Sequence, residues 1–432
     1  MCGIVGLWAK NKKTLNSIQP MTEKLHHRGP DDTGTWRDDD AGVAFGHKRL
    51  SIVDLSDAGH QPMVSASGRY VMVFNGEIYN FRDLQNMLPG DIRLSGHSDT
   101  ETLLALIELL GLEQAIVKCT GMFALALWDK KEQALFLARD RFGEKPLYFG
   151  QLGGDFIFTS ELKTLKVHPA ASTLTIDRHA LSAYVRYGYV PTPYCIYEDF
   201  NKLQPGAYLQ VNADLSTHAT VYWSAVETAI HAKPFQGSFN DAVESLEQQL
   251  EKTIAQQMLA DVPLGAFLSG GIDSSSVVAL MQKHHSQPVK TFSIGFFEQA
   301  FNEAEHAKAV AKHLGTDHHE IYVTQQDTLN VVPKLPEIYD EPFADSSQIP
   351  TFLVSQLAKE HVTVSLSGDA GDELFGGYNR YFLAPKLKKA FIDHPWLGYV
   401  FRAHPTKLLH FGCALFGRRF TQLSDKIEKL KK

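Results

Sequence analysis

Leu264 to Leu268 is a short apolar run that reads as a buried strand. Ser274 to His284 follows with a helical pattern, and Ser269-Gly270-Gly271-Ile272-Asp273-Ser274-Ser275 joins the two. The alternation continues, with strands expected at Thr291–Ile294, His319–Val323 and Val362–Leu366 and helices at Asn302–Leu314 and Thr351–Glu360. Strands that alternate with helices call for crossover connections, hence an α/β doubly wound parallel sheet with ligands at the strand carboxyl ends. Glycines in the joining loop let the backbone approach an anion, and its hydroxyls and the helix N-terminus can cradle phosphate. No lysine occupies the Walker position, so this is a different phosphate loop from GxxxxGK[ST]. The Asp273 carboxylate suits Mg²⁺, which favours carboxylate and phosphate oxygens. A second loop, Ser367-Gly368-Asp369-Ala370-Gly371-Asp372-Glu373, sets three acids after the last strand and suggests a metal site.

The front of the chain follows another pattern. Short β-type stretches dominate: Ala41–Phe45, Tyr70–Phe74, Phe123–Trp128, Ala134–Arg139, Leu147–Phe149 and Phe156–Thr159. Turn signals such as Arg28-Gly29-Pro30-Asp31 and Gly153-Gly154-Asp155 separate them. Thr100 to Leu110 reads as a helix capped by Ser98 or Asp99. This is an α+β pattern with antiparallel sheets in two layers. Periodicity is lost between Trp223 and Gly237, and a helix capped by Ser238 or Asn240 resumes at Asp241–Leu259. With 432 residues, two or three domains are expected. The divisions fall at 1–211, a linker 212–238, and 239–432.

Composition narrows the setting. No apolar run approaches the ~18 residues of a membrane span, and the N-terminus lacks a signal-peptide pattern. Cys2, Cys119, Cys195 and Cys413 lie far apart, which suggests neither zinc nor disulfides and points to a reducing, cytoplasmic setting. A net charge of −7 argues against a nucleic-acid partner. Residues 385–432 carry a local surplus of +8, read as a helical segment with solvated basic faces.

Cys2 is the chemically unusual residue. Removal of Met1 would leave a thiol and a free α-amine on one residue. An α-amine titrates near pH ~7.7–8 and can take the thiol proton at neutral pH, the logic of an N-terminal nucleophile activated by its own amine. Downstream lie fitting companions. Arg49 offers a guanidinium for a carboxylate. Asn75 and Gly76 place a side-chain amide beside a backbone N–H that could stabilise an oxyanion. Glu77 and Asp99 could hold an ammonium.

Five ordered stretches carry a resemblance: Cys2-Gly3-Ile4-Val5-Gly6, His27-Arg28-Gly29-Pro30-Asp31, Arg49-Leu50-Ser51-Ile52-Val53-Asp54, Asn75-Gly76-Glu77-Ile78-Tyr79-Asn80 and Ser98-Asp99-Thr100-Glu101. Together they resemble the class II glutamine amidotransferases, N-terminal-nucleophile glutaminases with a four-layer αββα fold. The resemblance implies that Cys2 attacks the glutamine amide to form a thioester, with Asn75 and Gly76 as oxyanion hole. Arg49 would bind the glutamine carboxylate, and Glu77 and Asp99 its ammonium. The Ser269–Ser275 loop resembles that of the ATP pyrophosphatase (PP-loop) family. The two halves joined are similar to the glutamine-hydrolysing asparagine synthetases, and Tyr339-Asp340-Glu341-Pro342-Phe343 and Gly376-Gly377-Tyr378 fit that family too.

That likeness implies ATP and Mg²⁺, with glutamine and aspartate as further small-molecule substrates and no nucleic acid or membrane partner. Leu268 and Ile294 would contact the adenosine, and Ser367 and Gly368 would bind it through the backbone. Ser269, Gly270, Gly271 and Ser274 would cradle the phosphates, and Asp273 and Asp372 would handle Mg²⁺-pyrophosphate. Asp369 would sit where an acyl-adenylate forms, and Ala344 to Pro350 would face the acceptor pocket. Ammonia would pass through an internal channel. A homodimer is left open as the assembly. The match reaches about Tyr381. Members of that family continue further and supply a catalytic lysine, which nothing in Phe382 to Lys432 matches, so a C-terminally truncated member is expected. Trp396–Phe401 and Leu408–Phe416 read as helices. Two other readings stay open: an amidotransferase for another carboxylate such as a uronic acid, and a protein with glutaminase activity alone.

Overall fold

The structure, a computed structural model, describes residues 1–297 and 303–393. By internal contacts the chain divides into residues 1–367 and a second unit from Gly368.

The front of the first unit is built on β1 (Gly3–Trp8), β2 (Asp32–Asp38), β3 (Val43–Arg49), β4 (Met63–Val64), β5 (Tyr70–Ile78) and β6 (Gly121–Asp129). It continues with β7 (Ala134–Arg139), β8 (Tyr148–Leu152), β9 (Asp155–Thr159), β10 (Phe200–Lys202), β11 (Ala207–Val211) and β12 (Thr217–Val221). They form two six-stranded sheets, ordered β10-β8-β9-β1-β3-β2 and β12-β11-β7-β6-β5-β4. Every pairing in them is antiparallel, as expected.

Successive side chains of a strand point to opposite faces, and β1 shows the consequence. Ile4 and Trp8 join Phe45, Val73, Trp128 and Phe158 in the core between the sheets. Val5 and Leu7 turn the other way, onto Leu15, Met21, Leu162 and Leu165. Trp8 meets Trp128 edge-on across the core, with centroids 4.9 Å apart at 77°. On the far side, Leu103, Leu106 and Ile107 of the helix Asp99–Leu110 cover Phe74 and Phe123. Helices thus cap two stacked sheets, the expected αββα order. Ser98 accepts a hydrogen bond from the Glu101 N–H and caps that helix.

The sequence reading missed β1, β2, β4 and β10–β12. β1 is buried throughout, so it lacks the apolar–polar alternation of a half-exposed strand. β12 and a helix at Ala225–His231 lie within the stretch 212–238 expected as a linker.

The rear of the first unit holds the parallel sheet: β13 (Leu264–Phe267), β14 (Lys290–Phe296), β15 (Asp317–Val323) and β16 (Val364–Leu366), ordered β15-β14-β13-β16. The order reverses at β13, with β14 on one side and β16 on the other, so the Ser269 loop leaves the sheet at its topological switch point. Phe239–Gln257, Ile272–His284 and Ala304–Leu314 are helices, and their Ile254, Val278, Met281, Ala307 and Ala311 bury Leu268 and Leu366. A further helix, Gln348–Lys359, packs Ala358 on Phe292. Ser238 and Asp241 close a capping box on the first of these helices.

In the second unit Gly371–Phe375 and Asn379–Asp393 are helical. Trp396–Phe401 and Leu408–Phe416 lie outside the described residues, as does most of the basic stretch.

Candidate active site

Cys2 stands at the head of β1, its Sγ 3.7 Å from the Leu50 carbonyl. Arg28 Nε donates to the Cys2 carbonyl oxygen at 2.9 Å. Burial pushes the thiol up, opposed first by the neighbouring α-amine. Burial pushes that amine down to about 6, so it is mostly neutral at pH 7 and able to accept a proton. Here the amine belongs to Met1; with Met1 removed it would belong to Cys2.

Arg49 ends β3 with its guanidinium fixed from behind. Nη1 donates to the Ser56 carbonyl at 3.1 Å, and Nη2 donates to the carbonyls of Val53, at 3.4 Å, and Asp54. Gly59 makes room for it, since a Cβ there would lie 1.8 Å from Nη2.

The end of β5 supplies the next three residues. Asn75 is fully buried, and neither its amide nitrogen nor its oxygen has a partner among the described residues. Leaving a buried polar group unpaired costs about 1–3 kcal/mol, which makes it a strong sign of a group meant for a ligand. A Cβ on Gly76 would sit 2.2 Å from the Met122 carbonyl oxygen, so β6 admits nothing larger.

Glu77 and Asp99 are coupled. Asp99 accepts from the Ile78 N–H at 2.8 Å, yet burial raises it to about 6. Burial and then Asp99 raise Glu77 well above the carboxylate range, against Lys145, the α-amine and Arg49. Two close carboxyls away from water cannot both stay charged cheaply. An incoming ammonium would relieve them. The same interactions bring Cys2, Arg49, Glu77 and Asp99 into one site. Lys145 belongs to it as well, though nothing in the sequence flagged it.

At the carboxyl end of β13 the glycine-rich loop is internally braced. Ser269 N–H donates to Ser274 Oγ at 3.2 Å, the Ser269 and Ser274 hydroxyls meet at 2.9 Å, and Gly271 N–H donates to Ser269 Oγ at 3.2 Å. Gly270 adopts φ +80°, where a Cβ would lie 2.7 Å from the Ala307 nitrogen. Asp273 lies in the first turn of the helix Ile272–His284. Ser275 Oγ is buried without a partner among the described residues. A cradle open to close approach, a helix N-terminus and an orphaned hydroxyl fit an anionic ligand.

Leu268 is buried and donates its N–H to the Phe292 carbonyl, while Ile294 lies in β14 and Ser367 follows β16. Gly368, Asp369 and Asp372 fall in the second unit, where Gly371 N–H reaches the Gly368 carbonyl at 3.3 Å and Gly377 N–H that of Asp372 at 3.0 Å. Among the described residues no group of three or more His, Cys, Asp or Glu side chains could hold a metal ion. Mg²⁺ does not require one, since it keeps waters and takes phosphate oxygens.

Between the antiparallel and parallel sheets lies a cavity of about 910 Å³, walled by Met1, Arg28, Arg49 and Leu50 on one side and by Phe267 and Ser365 on the other. A second, of about 730 Å³, shares Met1, His27 and Arg28 and reaches Glu337 and Phe352. The Tyr339–Phe343 motif docks on the antiparallel half. Glu341 accepts from the Ile196 N–H at 2.8 Å and pairs with Lys202 at 2.5 Å, and Asp340 accepts from the Lys163 N–H at 3.2 Å. From the Ala344–Pro350 stretch, Ala344 N–H donates to the Gly188 carbonyl at 2.8 Å. No described helix is long and apolar enough to cross a membrane.

Residues 1–223 match the glutamine amidotransferase domain family, and residues 245–430 match asparagine synthase. Asparagine synthetase [glutamine-hydrolyzing] 1 of Bacillus subtilis is 38% identical over 387 residues, which cover 88% of this chain and 59% of that protein. A protein of Methanocaldococcus jannaschii called putative asparagine synthetase [glutamine-hydrolyzing] 2 is 37% identical over 398 residues, covering 88% of this chain and 76% of its own. The chain therefore spans about three-fifths to three-quarters of the length of these relatives. Among solved structures, a glutamine phosphoribosylpyrophosphate amidotransferase from B. subtilis covers 74% of this chain and 81% of its own at 15% identity and a TM-score of 0.39, too distant to carry an argument. With both family matches in register and a relative covered over three-quarters of its length, the chain belongs to the glutamine-hydrolysing asparagine synthetase family.

Proposed function

We infer that this protein hydrolyses glutamine at Cys2 and uses the ammonia, with ATP, to convert aspartate to asparagine. The observation that carries this reading is the set of half-buried Cys2, buried and unpartnered Asn75, buried Arg49 and the interacting Glu77–Asp99 pair. These groups match the atoms of one substrate: an amide carbon, its developing oxyanion, a carboxylate and an ammonium. The thiol adds to the glutamine amide, and its proton passes by way of the α-amine to the departing ammonia. Asn75 and the Gly76 N–H stabilise the oxyanion, worth about 2.7–4 kcal/mol per donor in related acyl transfers. Water then releases glutamate from the thioester.

A carboxylate is a poor electrophile, which is the reason for the second half. In this reading ATP adenylates the aspartate side chain, and ammonia displaces AMP from the β-aspartyl adenylate. Ser269, Gly270, Gly271 and Ser274 hold the phosphates, Leu268, Ile294, Ser367 and Gly368 the adenosine, and Asp369 lies by the adenylate. Asp273 and Asp372 would hold Mg²⁺, which would neutralise phosphate charge. Ammonia is mostly protonated near pH 7, so a covered passage has chemical value. The cavities walled by Met1 and Arg28 support one. Residues 1–223, which include β12, are the glutaminase and 239–432 the synthetase, joined by 224–238. A cytoplasmic setting belongs to the same reading, and a homodimer is left open.

Incubation with glutamine, ATP, Mg²⁺ and aspartate should yield asparagine, AMP and pyrophosphate in equal amounts. Pyrophosphate formation that ignores aspartate but responds to a uronic acid would redirect the acceptor. Glutamate release with no pyrophosphate would leave a glutaminase alone.

A further inference from the structure

The loop behind Arg49 is held from across the molecule. Asp54 N–H donates to Asp261 Oδ2 at 2.8 Å, and Asp261 N–H donates to the Ile52 carbonyl at 2.9 Å, a reciprocal pair joining residues 207 apart for the first bond. Asp261 lies just before β13, the strand that ends at the glycine-rich loop. His97 closes the arrangement. Its N–H donates to Asp54 Oδ2 at 2.8 Å, and its ring Nε2 lies 2.9 Å from the same Asp261 oxygen. Gly96 permits this approach, since a Cβ there would lie 2.1 Å from Asp54 Oδ2.

Asp54 is thereby kept at φ +60°, the left-handed region that few residues other than glycine adopt. It also turns its carbonyl, with those of Val53 and Ser56, onto the Arg49 guanidinium. The chain of contacts runs Asp261, Asp54, Arg49.

We propose that Asp261 is a positioning residue for glutamine binding, clasping the 52–56 loop so that Arg49 is held ready for the substrate carboxylate. The clasp couples the segment that opens the parallel sheet to the glutamine site. This rests on the glutaminase reading above. His97 gives the clasp a pH dependence. Around it stand Asp54 and Asp261, which favour its charged form, and Arg82, which opposes it. Glu101 is engaged instead with the N–H groups of Ser95 and Gly96. Protonated His97 sits between both carboxylates, and its deprotonation leaves them facing each other.

The test measures glutamate release against glutamine concentration for wild type, Asp261→Ala, Asp261→Asn and His97→Asn, alongside asparagine formation driven by ammonium. Asp261→Ala should raise KM for glutamine about tenfold, the ~1.4 kcal/mol expected of one charge-assisted hydrogen bond. Its kcat should stay within about twofold, and ammonium-driven synthesis should be unchanged. Asp261→Asn keeps an acceptor for the Asp54 N–H and should restore most of the KM. In wild type KM should rise as His97 loses its proton, and in His97→Asn that rise should vanish. An unchanged KM in Asp261→Ala overturns the proposal, as does an equal fall in glutamine- and ammonium-driven rates, which marks a purely structural role. If Asp261→Ala fails to fold, a wild-type pH profile of KM in Asp261→Asn and His97→Asn overturns it. Absence of Cys2-dependent glutamate release in wild type would defeat the glutaminase reading itself, a distinct result.

Discussion

At the glutamine site Cys2, Arg49, Glu77, Asp99 and Lys145 gather at the ends of β1, β3 and β5, whereas the Ser269–Ser275 loop offers a ligand hydroxyls, glycines and a helix N-terminus. The first arrangement stores electrostatic cost in the empty protein. Burial holds Asp99 near 6 and lifts Glu77 and the Cys2 thiol, and Asn75 goes unpaired. The second makes its demand on the backbone, at Gly270, whose φ of +80° and close packing on Ala307 only a residue without a Cβ accepts. One site should thus answer to pH and to isosteric side-chain changes, and the other to a single added methyl group.

The largest separation is expected from Asn75→Ala. It should lower kcat for glutamate release about 10²–10³-fold through loss of an oxyanion donor, with KM nearly unchanged and ammonium-driven synthesis intact. A larger effect on KM than on kcat would show that Asn75 binds the ground state instead. Gly270→Ala tests the other half. A Cβ forced against the Ala307 nitrogen at φ +80° should shift the loop and raise KM for ATP by about tenfold, on a strain of about 1–3 kcal/mol. Glutamate release without ATP should not move. If it does, the two sites are mechanically coupled through more than the Asp261 clasp.

Asp99→Asn should give the smallest change in folding and a selective one in binding. A carboxyl raised from 3.8 to about 6 binds its proton more tightly folded than unfolded. Its favourable contribution is therefore complete below pH ~4 and is lost as pH rises from ~4 to ~6. Thermal melts of wild type across that window should show the decline, and Asp99→Asn should flatten it. The same variant should bind glutamine more weakly, since half of the ammonium partner is gone. Glutamine should in turn stabilise wild type more at pH 7 than at pH 5. A melting profile identical for both proteins would mean that Asp99 is ionised at no cost.

Legibility in the sequence followed the distance between partners. Ser269–Ser275 is contiguous, so loop, strand and helix could all be read locally, and the structure puts the loop at the sheet's switch point. Cys2, Arg49, Asn75 and Asp99 each lay within a short ordered stretch that carried the resemblance. The strand β1 itself was not legible, because Gly3 to Trp8 is apolar on both faces and resembles no half-exposed strand. Neither were Lys145 and Asp261. Lys145 is an ordinary lysine in sequence, and Asp261 acts only through a residue 207 positions away. Such contacts depend on how sheets stack, which no local pattern encodes.

The central claim is that one thiol supplies the nitrogen for a separate ATP-driven step. Glutamate release and AMP formation should be measured in wild type and Cys2→Ala, each with glutamine and then with ammonium. The account predicts that Cys2→Ala loses glutamate release by at least about a thousandfold and forms no AMP with aspartate and glutamine beyond background, while ammonium restores AMP and asparagine to wild-type levels. Glutamate release that survives in Cys2→Ala, or an ammonium-driven reaction that disappears with the thiol, would contradict it.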